Sequence, residues 1–350
     1  MIARLLCRSA VRWTSCLRDL RSGMTSPTRE RGLRDRSASG PRLRVGLVLA
    51  GVLLLVGVAP LLAADSALEF ELKDGDRVVT LGGTFIEREG QFGYIETVFT
   101  TAFPDRKVTF RNLGWSGDTV WAESRGIFDT AQVGYGRMLA LVKELKPTLI
   151  VFGYGQNESF AGEAGLEPFV KQFEKLCEDV KPTGARLAFI TPHKFEKPRA
   201  PLPDASRHNA MLGKYADAVR QLAARRSAPV LDLYALDLPS QSLTENGQQV
   251  GQYHYTENGM HFGQNGYYRV AQAVQSHLKL KSEVSGRTEE AIRQKIVEKN
   301  MLFFHRWRPQ NITYLTGFRK HEQGNNAVEI AQFDPLVEKI EVEIDAMKKP

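Results

Sequence analysis

The chain of 350 residues carries 47 Lys and Arg against 40 Asp and Glu, and its net charge of +7 is unevenly placed. Residues 1–44 alone hold 11 Arg, no Lys and 3 acidic residues, a net of +8, so the remainder sits near −1. The basic character belongs to the leader, which excludes a nucleic-acid-binding surface spread over the body of the protein.

Val45 to Ala64 follow, nearly all apolar and free of charge. A basic region, an apolar stretch and the small pair Ala63-Ala64 before Asp65 are the parts of a secretory signal, so cleavage near Ala64 and export to the periplasm or medium are expected. The apolar stretch is also long enough to span a bilayer, so an uncleaved N-terminal membrane anchor is the alternative; Met24 is an alternative start. Cys7 and Cys16 lie in the leader, leaving Cys177 alone in the body. One Cys builds neither a disulfide framework nor a Cys zinc cluster, and Cys177, on a helical pattern, reads as packing. About 286 residues remain after Ala64, ample for one core.

The first strand is expected at 77–81 (Arg-Val-Val-Thr-Leu), followed by Gly82-Gly83-Thr84 and the start of a helical pattern at Ile86-Glu87-Arg88. Residues 93–103 read as an amphipathic helix, with Tyr94, Ile95, Val98 and Phe99 at helical spacing. A second strand is expected at 107–113 and a helix at 137–145. The run 147–152 (Pro-Thr-Leu-Ile-Val-Phe) is a third strand, continuously apolar as in a parallel sheet. A helix at 167–180, a strand at 186–191, a helix at 208–224, a strand at 229–233 and a closing helix at 263–280 complete the alternation. Strands alternating with helices through short connections predict an α/β fold with a parallel sheet and helices on both faces. A polar boundary at 282–288 separates residues 65–285 from a tail at 286–350. The tail reads as a charged helix at 289–300, an irregular aromatic-rich piece at 303–326 and a last helix at 335–347. Too small for its own core, it is expected to pack on the main domain.

Three stretches sit directly after predicted strands, where open α/β sheets form their sites, and a fourth lies between the fifth strand and the closing helix. Gly82-Gly83-Thr84 allows a sharp turn that presents a hydroxyl; alternatively Thr84 and Glu87 form a capping box. Gly114-Trp115-Ser116-Gly117 allows a turn whose amides point at a ligand oxygen, as an oxyanion hole needs, or is an ordinary loop. Gly155-Gln156-Asn157-Glu158 offers an Asn amide to a developing negative charge, or a turn Asn bonded to its own backbone. Glu257-Asn258-Gly259-Met260-His261 offers an imidazole, the usual general base for a hydroxyl nucleophile, or a capping His. A dinucleotide-binding fold is disfavoured, because Leu81-Gly82-Gly83-Thr84 lacks the spaced Gly-x-Gly-x-x-Gly pattern.

In order, these four stretches resemble the blocks of the SGNH hydrolases, or GDSL esterases and lipases, over residues 74–280. The resemblance implies a three-layer, flavodoxin-like sandwich around a five-stranded parallel sheet. It implies hydrolysis of ester bonds, with acylated carbohydrate as a substrate class, and calls for no metal or organic cofactor. Gly117 matches the oxyanion Gly, Asn157 the oxyanion Asn and His261 the base. Thr84 stands where the family has its nucleophilic Ser, Gly83 where it has Asp, and Asn258 where it has the Asp three residues before the His. Thr keeps the hydroxyl but adds a methyl that restricts χ1. Asn258 or the adjacent Glu257 is expected to orient His261. The alternative is a catalytically silent SGNH-like module that binds glycan or protein. The tail stretches 304–311 (Phe-His-Arg-Trp-Arg-Pro-Gln-Asn) and 318–324 (Phe-Arg-Lys-His-Glu-Gln-Gly) read either as a polar wrap fixing the tail or as the lining of a sugar or carboxylate pocket.

Overall fold

In the computed structural model, residues 70–236, 238, 242–245, 248–252 and 254–349 are described. The basic leader and the apolar stretch lie outside them. Among the described residues, no helix is long and apolar enough to cross a membrane.

Five strands form one parallel sheet: β1 (Arg77–Gly82), β2 (Thr109–Asn112), β3 (Leu149–Gly153), β4 (Arg186–Ile190) and β5 (Val230–Leu231), in the order β2-β1-β3-β4-β5. The order turns back beside β1, placing a switch point at its carboxyl end, where clefts form in open α/β sheets. The pleat sends alternate side chains to opposite faces. Val79, Leu81, Ile150, Phe152 and Phe189 pack under α3 (Ala131–Leu145), α4 (Leu166–Val180) and α5 (Asn209–Arg225). Val78, Leu149, Val151, Ala188 and Ile190 face α1 (Thr84–Phe92), α2 (Tyr94–Ala102) and α6 (Gln264–His277). Cys177 is buried in the first layer. The expected α/β sandwich is the observed one.

The helical pattern beginning at Ile86 and the helix expected at 93–103 are α1 and α2, parted at Gly93, whose φ of 68° ends α1 in the left-handed conformation. Two features differ from expectation for local reasons. Helix α3 starts six residues early, because the Thr130 side chain caps it at Val133 N–H. An antiparallel hairpin, β6 (Ser242–Glu245) with β7 (Gln248–Gln252), follows β5; its polar strands lack the apolar alternation that marks a strand in sequence.

The tail is more helical than expected. Helix α7 (Gly286–Trp307) runs through the first residues of the piece read as irregular, and α8 (Ile312–Leu315) and α9 (Lys320–Gln323) follow within it. Helix α10 (Phe333–Lys348) returns antiparallel along α7, burying Ile292 and Ile296 against Ile340 and Ile344. The pair lies on the β2 edge. Arg111 of β2 binds Glu341 at 2.5 Å, buried Lys299 binds Glu96 of α2, and Lys348 Nζ donates to Arg106 O at 2.8 Å.

Candidate active site

Of the six predicted site residues, Thr84, Gly117, Asn157 and His261 line one cleft of about 630 Å³ at the carboxyl ends of β1 to β3, together with Glu87, Arg88, Gln91, Ser116 and Gln156, whereas Asn258 and Glu257 do not line it. A larger cleft of about 780 Å³ lies at the opposite end of the strands, rimmed by Arg186, Arg225 and Arg226. Those three cations are already paired with Asp76, Glu174 and Glu178, and none of the four motifs reaches it.

Thr84 is the first residue of α1, and the position preceding the helix belongs to Gly83. The capping-box expectation therefore fails: Thr84 makes no cap bond, and the Glu87 carboxylate turns away to Ser116, accepting from its N–H at 2.8 Å and its hydroxyl at 2.9 Å. The Thr84 hydroxyl instead accepts from Gly117 N–H at 3.1 Å. Gly117 has φ 76°, a left-handed conformation in which a side chain is strained, so the amide can turn toward Thr84. Gly114 lets the same loop close on α1, since a Cβ there would lie 2.2 Å from Glu87 N.

The loops after β2 and β3 brace each other. Asn157 Nδ2 donates to Asp118 O at 2.8 Å. Buried Glu158 accepts from Gly155 N–H at 2.8 Å and from Val120 N–H at 2.9 Å, and burial lifts its carboxyl to about 7. Asp118 and Arg125 form an ion pair at 2.6 Å inside the β2 loop, with side chains 0 % and 4 % exposed. Arg125 also donates to Leu113 O at 2.7 Å.

His261 sits in a tight loop closed by Glu257 N–H to His261 O at 2.8 Å and braced by Glu196, which accepts from Thr256 N–H at 2.8 Å and Thr256 Oγ1 at 2.6 Å. Of the two candidate orienting residues, Asn258 reaches the ring: its Nδ2 lies 3.2 Å from His261 Nδ1. Glu257 is directed to Arg88 at 2.6 Å. The Asn258 amide has its orientation fixed, because Oδ1 accepts from His261 N–H at 2.9 Å and Met260 N–H at 3.1 Å. The NH₂ group is what remains for the ring, so Nδ1 is an acceptor and the neutral imidazole carries its proton on Nε2. Burial and the Arg88 charge hold the His261 pKa below its ordinary value, with Glu257 opposing. Thr84 and His261 share the cleft without a direct hydrogen bond among the described residues.

Sequence reading missed Glu87, Arg88, Gln156 and His193. Gln156 Nε2 lies 3.2 Å from Nε2 of buried His193, whose Nδ1–H donates to Lys194 O at 2.9 Å; burial lowers the His193 pKa to about 4. His193 stays neutral and fixes Gln156 at the cleft. A His two residues beyond a strand was the one available signal.

The GDSL-like Lipase/Acylhydrolase family profile matches residues 79–269, more than half of the chain. Solved structures similar to the chain include a catalytic mutant of Axe2, an acetylxylan esterase from Geobacillus stearothermophilus, at 15% identity with a TM-score of 0.45, covering 62% of this chain and 100% of that one. A structure of Axe2 itself gives 15% identity and a TM-score of 0.42, covering 61% and 98%. A gut microbial diltiazem-metabolizing enzyme gives 11% identity and a TM-score of 0.49, covering 80% and 96%. No curated protein is matched by the chain.

Proposed function

The chain belongs to the GDSL-like lipase/acylhydrolase family, so it is a hydrolase acting on ester bonds, and on that premise we propose that Thr84 is its nucleophile. The observation that carries the reading is the 3.1 Å bond from Gly117 N–H to the Thr84 hydroxyl inside a cleft also lined by Asn157 and His261. An ester carbonyl placed over Thr84 brings its oxygen beside the Thr84 hydroxyl, within reach of the Gly117 amide. The Thr84 and Gly117 N–H groups and the Asn157 amide then stabilise the oxyanion, a contribution of roughly 3–4 kcal/mol per donor in comparable sites. His261 takes the Thr84 proton as the hydroxyl adds to the carbonyl and returns it to the leaving alcohol. The acyl-Thr84 ester is then cleaved by water, which His261 deprotonates in turn.

The substrate class in this reading is acylated carbohydrate. The cleft walls present Arg88, Gln91 and Gln156 for hydroxyls, and Phe160, 59% exposed, offers a ring on which a sugar face can stack. Export fits such a substrate and rests on the arginine-rich leader, the uncharged apolar stretch and Ala63-Ala64. Sequencing the N-terminus of the cell-fractionated protein tests it: a mature chain starting near Asp65 outside the cytoplasm is the expected result.

The mechanism is tested with a fluorophosphonate probe and a small activated ester. Wild type is expected to label at Thr84 and to turn over the ester, and Thr84→Val to do neither. A folded wild-type chain that neither labels nor turns over any ester removes the Thr84 mechanism and leaves a ligand-binding module.

A further inference from the structure

The tail reaches the candidate oxyanion loop through Arg308 and Trp307. Arg308, immediately after α7, donates from Nη1 to Glu87 Oε2 at 2.6 Å, and its guanidinium lies 3.6 Å from the centre of the Trp115 ring. Glu87 stands one helical turn beyond Thr84 and holds both the N–H and the hydroxyl of Ser116. Trp115 is enclosed further by the edge of Trp307 at 5.7 Å and by the Arg125 guanidinium at 5.6 Å, while its backbone N–H donates to Gly82 O at 2.9 Å. Trp115, Ser116 and Gly117 are consecutive, so the tail grips the first, Glu87 grips the second, and the third presents its amide to Thr84.

We propose that Arg308 is a positioning residue for the Gly117 amide, and that the C-terminal extension is therefore part of the catalytic apparatus. The proposal rests on the Thr84 reading above. Its physical basis is charge and geometry together. Glu87 is 14% exposed at the side chain, and a carboxylate that poorly hydrated is costly to leave without a charged partner while it accepts two bonds from Ser116. Arg308 is the cation bonded to it, and a planar guanidinium is the group that can bind the carboxylate through one edge while its face lies on an indole. Removing it leaves Glu87 unpaired and Trp115 uncovered on that side, and both changes loosen the segment that carries Gly117. Arg306, two residues earlier, supplies an internal control: it binds Glu144 and Asp334, away from the loop.

The experiment uses the full-length chain with Arg308→Gln, Arg308→Lys and Arg306→Gln. Two quantities are read: kcat and KM on a small activated ester, and amide hydrogen exchange of the peptide spanning residues 113–119. Arg308→Gln is expected to lower kcat tenfold or more with KM changed less than threefold, and to speed exchange in that peptide tenfold or more. Arg308→Lys keeps the charge on Glu87 but not the stacked plane, and is expected to recover part of both. Arg306→Gln is expected to lower thermal stability while leaving kcat and the peptide's exchange at wild-type values. The proposal is overturned if Arg308→Gln keeps kcat within twofold, or if exchange in residues 113–119 does not change. Should wild type itself show no turnover, the Thr84 reading fails alone, and the exchange comparison still decides whether Arg308 positions this loop.

Discussion

Replacing Asn258 with Asp exchanges one group beside His261 and should change which ring nitrogen carries the proton. In the native loop Asn258 Oδ1 is occupied by two backbone N–H groups, and its NH₂ faces His261 Nδ1. To serve as a base at Nε2, the neutral ring must move its proton to Nδ1, which sets N–H against N–H unless the Asn258 amide turns over and abandons both backbone bonds. Each such bond is worth about 0.5–1.5 kcal/mol net, so the rearrangement costs about 1–3 kcal/mol. At about 1.4 kcal/mol per tenfold in rate, Asn258→Asp is expected to raise kcat/KM by about 5- to 140-fold, because a carboxylate accepts from all three N–H groups at once. The carboxylate also stabilises the imidazolium, so the His261 pKa rises from its depressed native position. Activity that needs the neutral ring appears as pH climbs through that pKa; the acid limb of the profile therefore moves to higher pH in the variant. The assay is kcat/KM on a small activated ester between pH 5 and 9, alongside nitrogen-15 spectra of the ring, which identify the tautomer directly. A native His261 protonated on Nδ1, or a folded Asn258→Asp variant with kcat/KM within twofold of wild type, would refute the reasoning.

Thr84→Ser removes the methyl that restricts χ1 and should raise turnover of an activated ester several-fold; in the His261→Ala background the gain should vanish, and a gain that persists there would detach His261 from the reaction. Glu89, a half-buried residue whose Oε2 is shut off from solvent and unpartnered, has its carboxyl pushed up to about 8, chiefly by desolvation. The native state therefore keeps a proton that the unfolded chain releases, and stability should fall as pH rises from about 4.5 through 8, by roughly 5 kcal/mol across the window. Glu89→Gln should remove that slope in denaturant titrations at pH 5, 7 and 9; a difference from wild type that stays constant with pH would contradict it. Gly114→Ala drives a Cβ onto Glu87 N and should destabilise the fold by about 3 kcal/mol or more, read as a fall in the denaturation midpoint.

The sheet was legible chiefly from its central strand, which is buried on both faces and so reads as a continuous apolar run from Leu149 to Phe152. The cleft was legible because three of the four motifs directly follow strands, and the carboxyl ends of parallel strands meet by construction. What the sequence did not reveal depends on contacts between distant positions. The destination of Glu87 is such a case: Thr-x-x-Glu reads as a local cap, while the carboxylate is claimed by Ser116, 29 positions on, and Arg308, 221 positions on. The orientation of Asn258 is another. An Asn three residues before a His reads as an acceptor for Nδ1, and only the two backbone N–H groups at Met260 and His261 show that its oxygen is already in use.

The three departures from the family blocks fall on two loops, Gly83 and Thr84 at the start of α1 and Asn258 beside His261. A Cβ at Gly83 would lie 3.2 Å from Asn157 Nδ2 and 3.3 Å from Asp118 O, so an Asp there presses on the pair that sets the oxyanion amide. With Gly at that position, Asn157 closes directly onto the β2 loop, and that loop delivers Gly117 N–H to the Thr84 hydroxyl. Restoring Ser at 84 and Asp at 258 alters the proposed nucleophile and the tautomer without touching this contact, whereas restoring Asp at 83 displaces it. The first two changes are therefore expected to add gain to gain, being set on separate loops. The third should cost activity even in the presence of the other two, because it moves the donor on which the oxyanion depends.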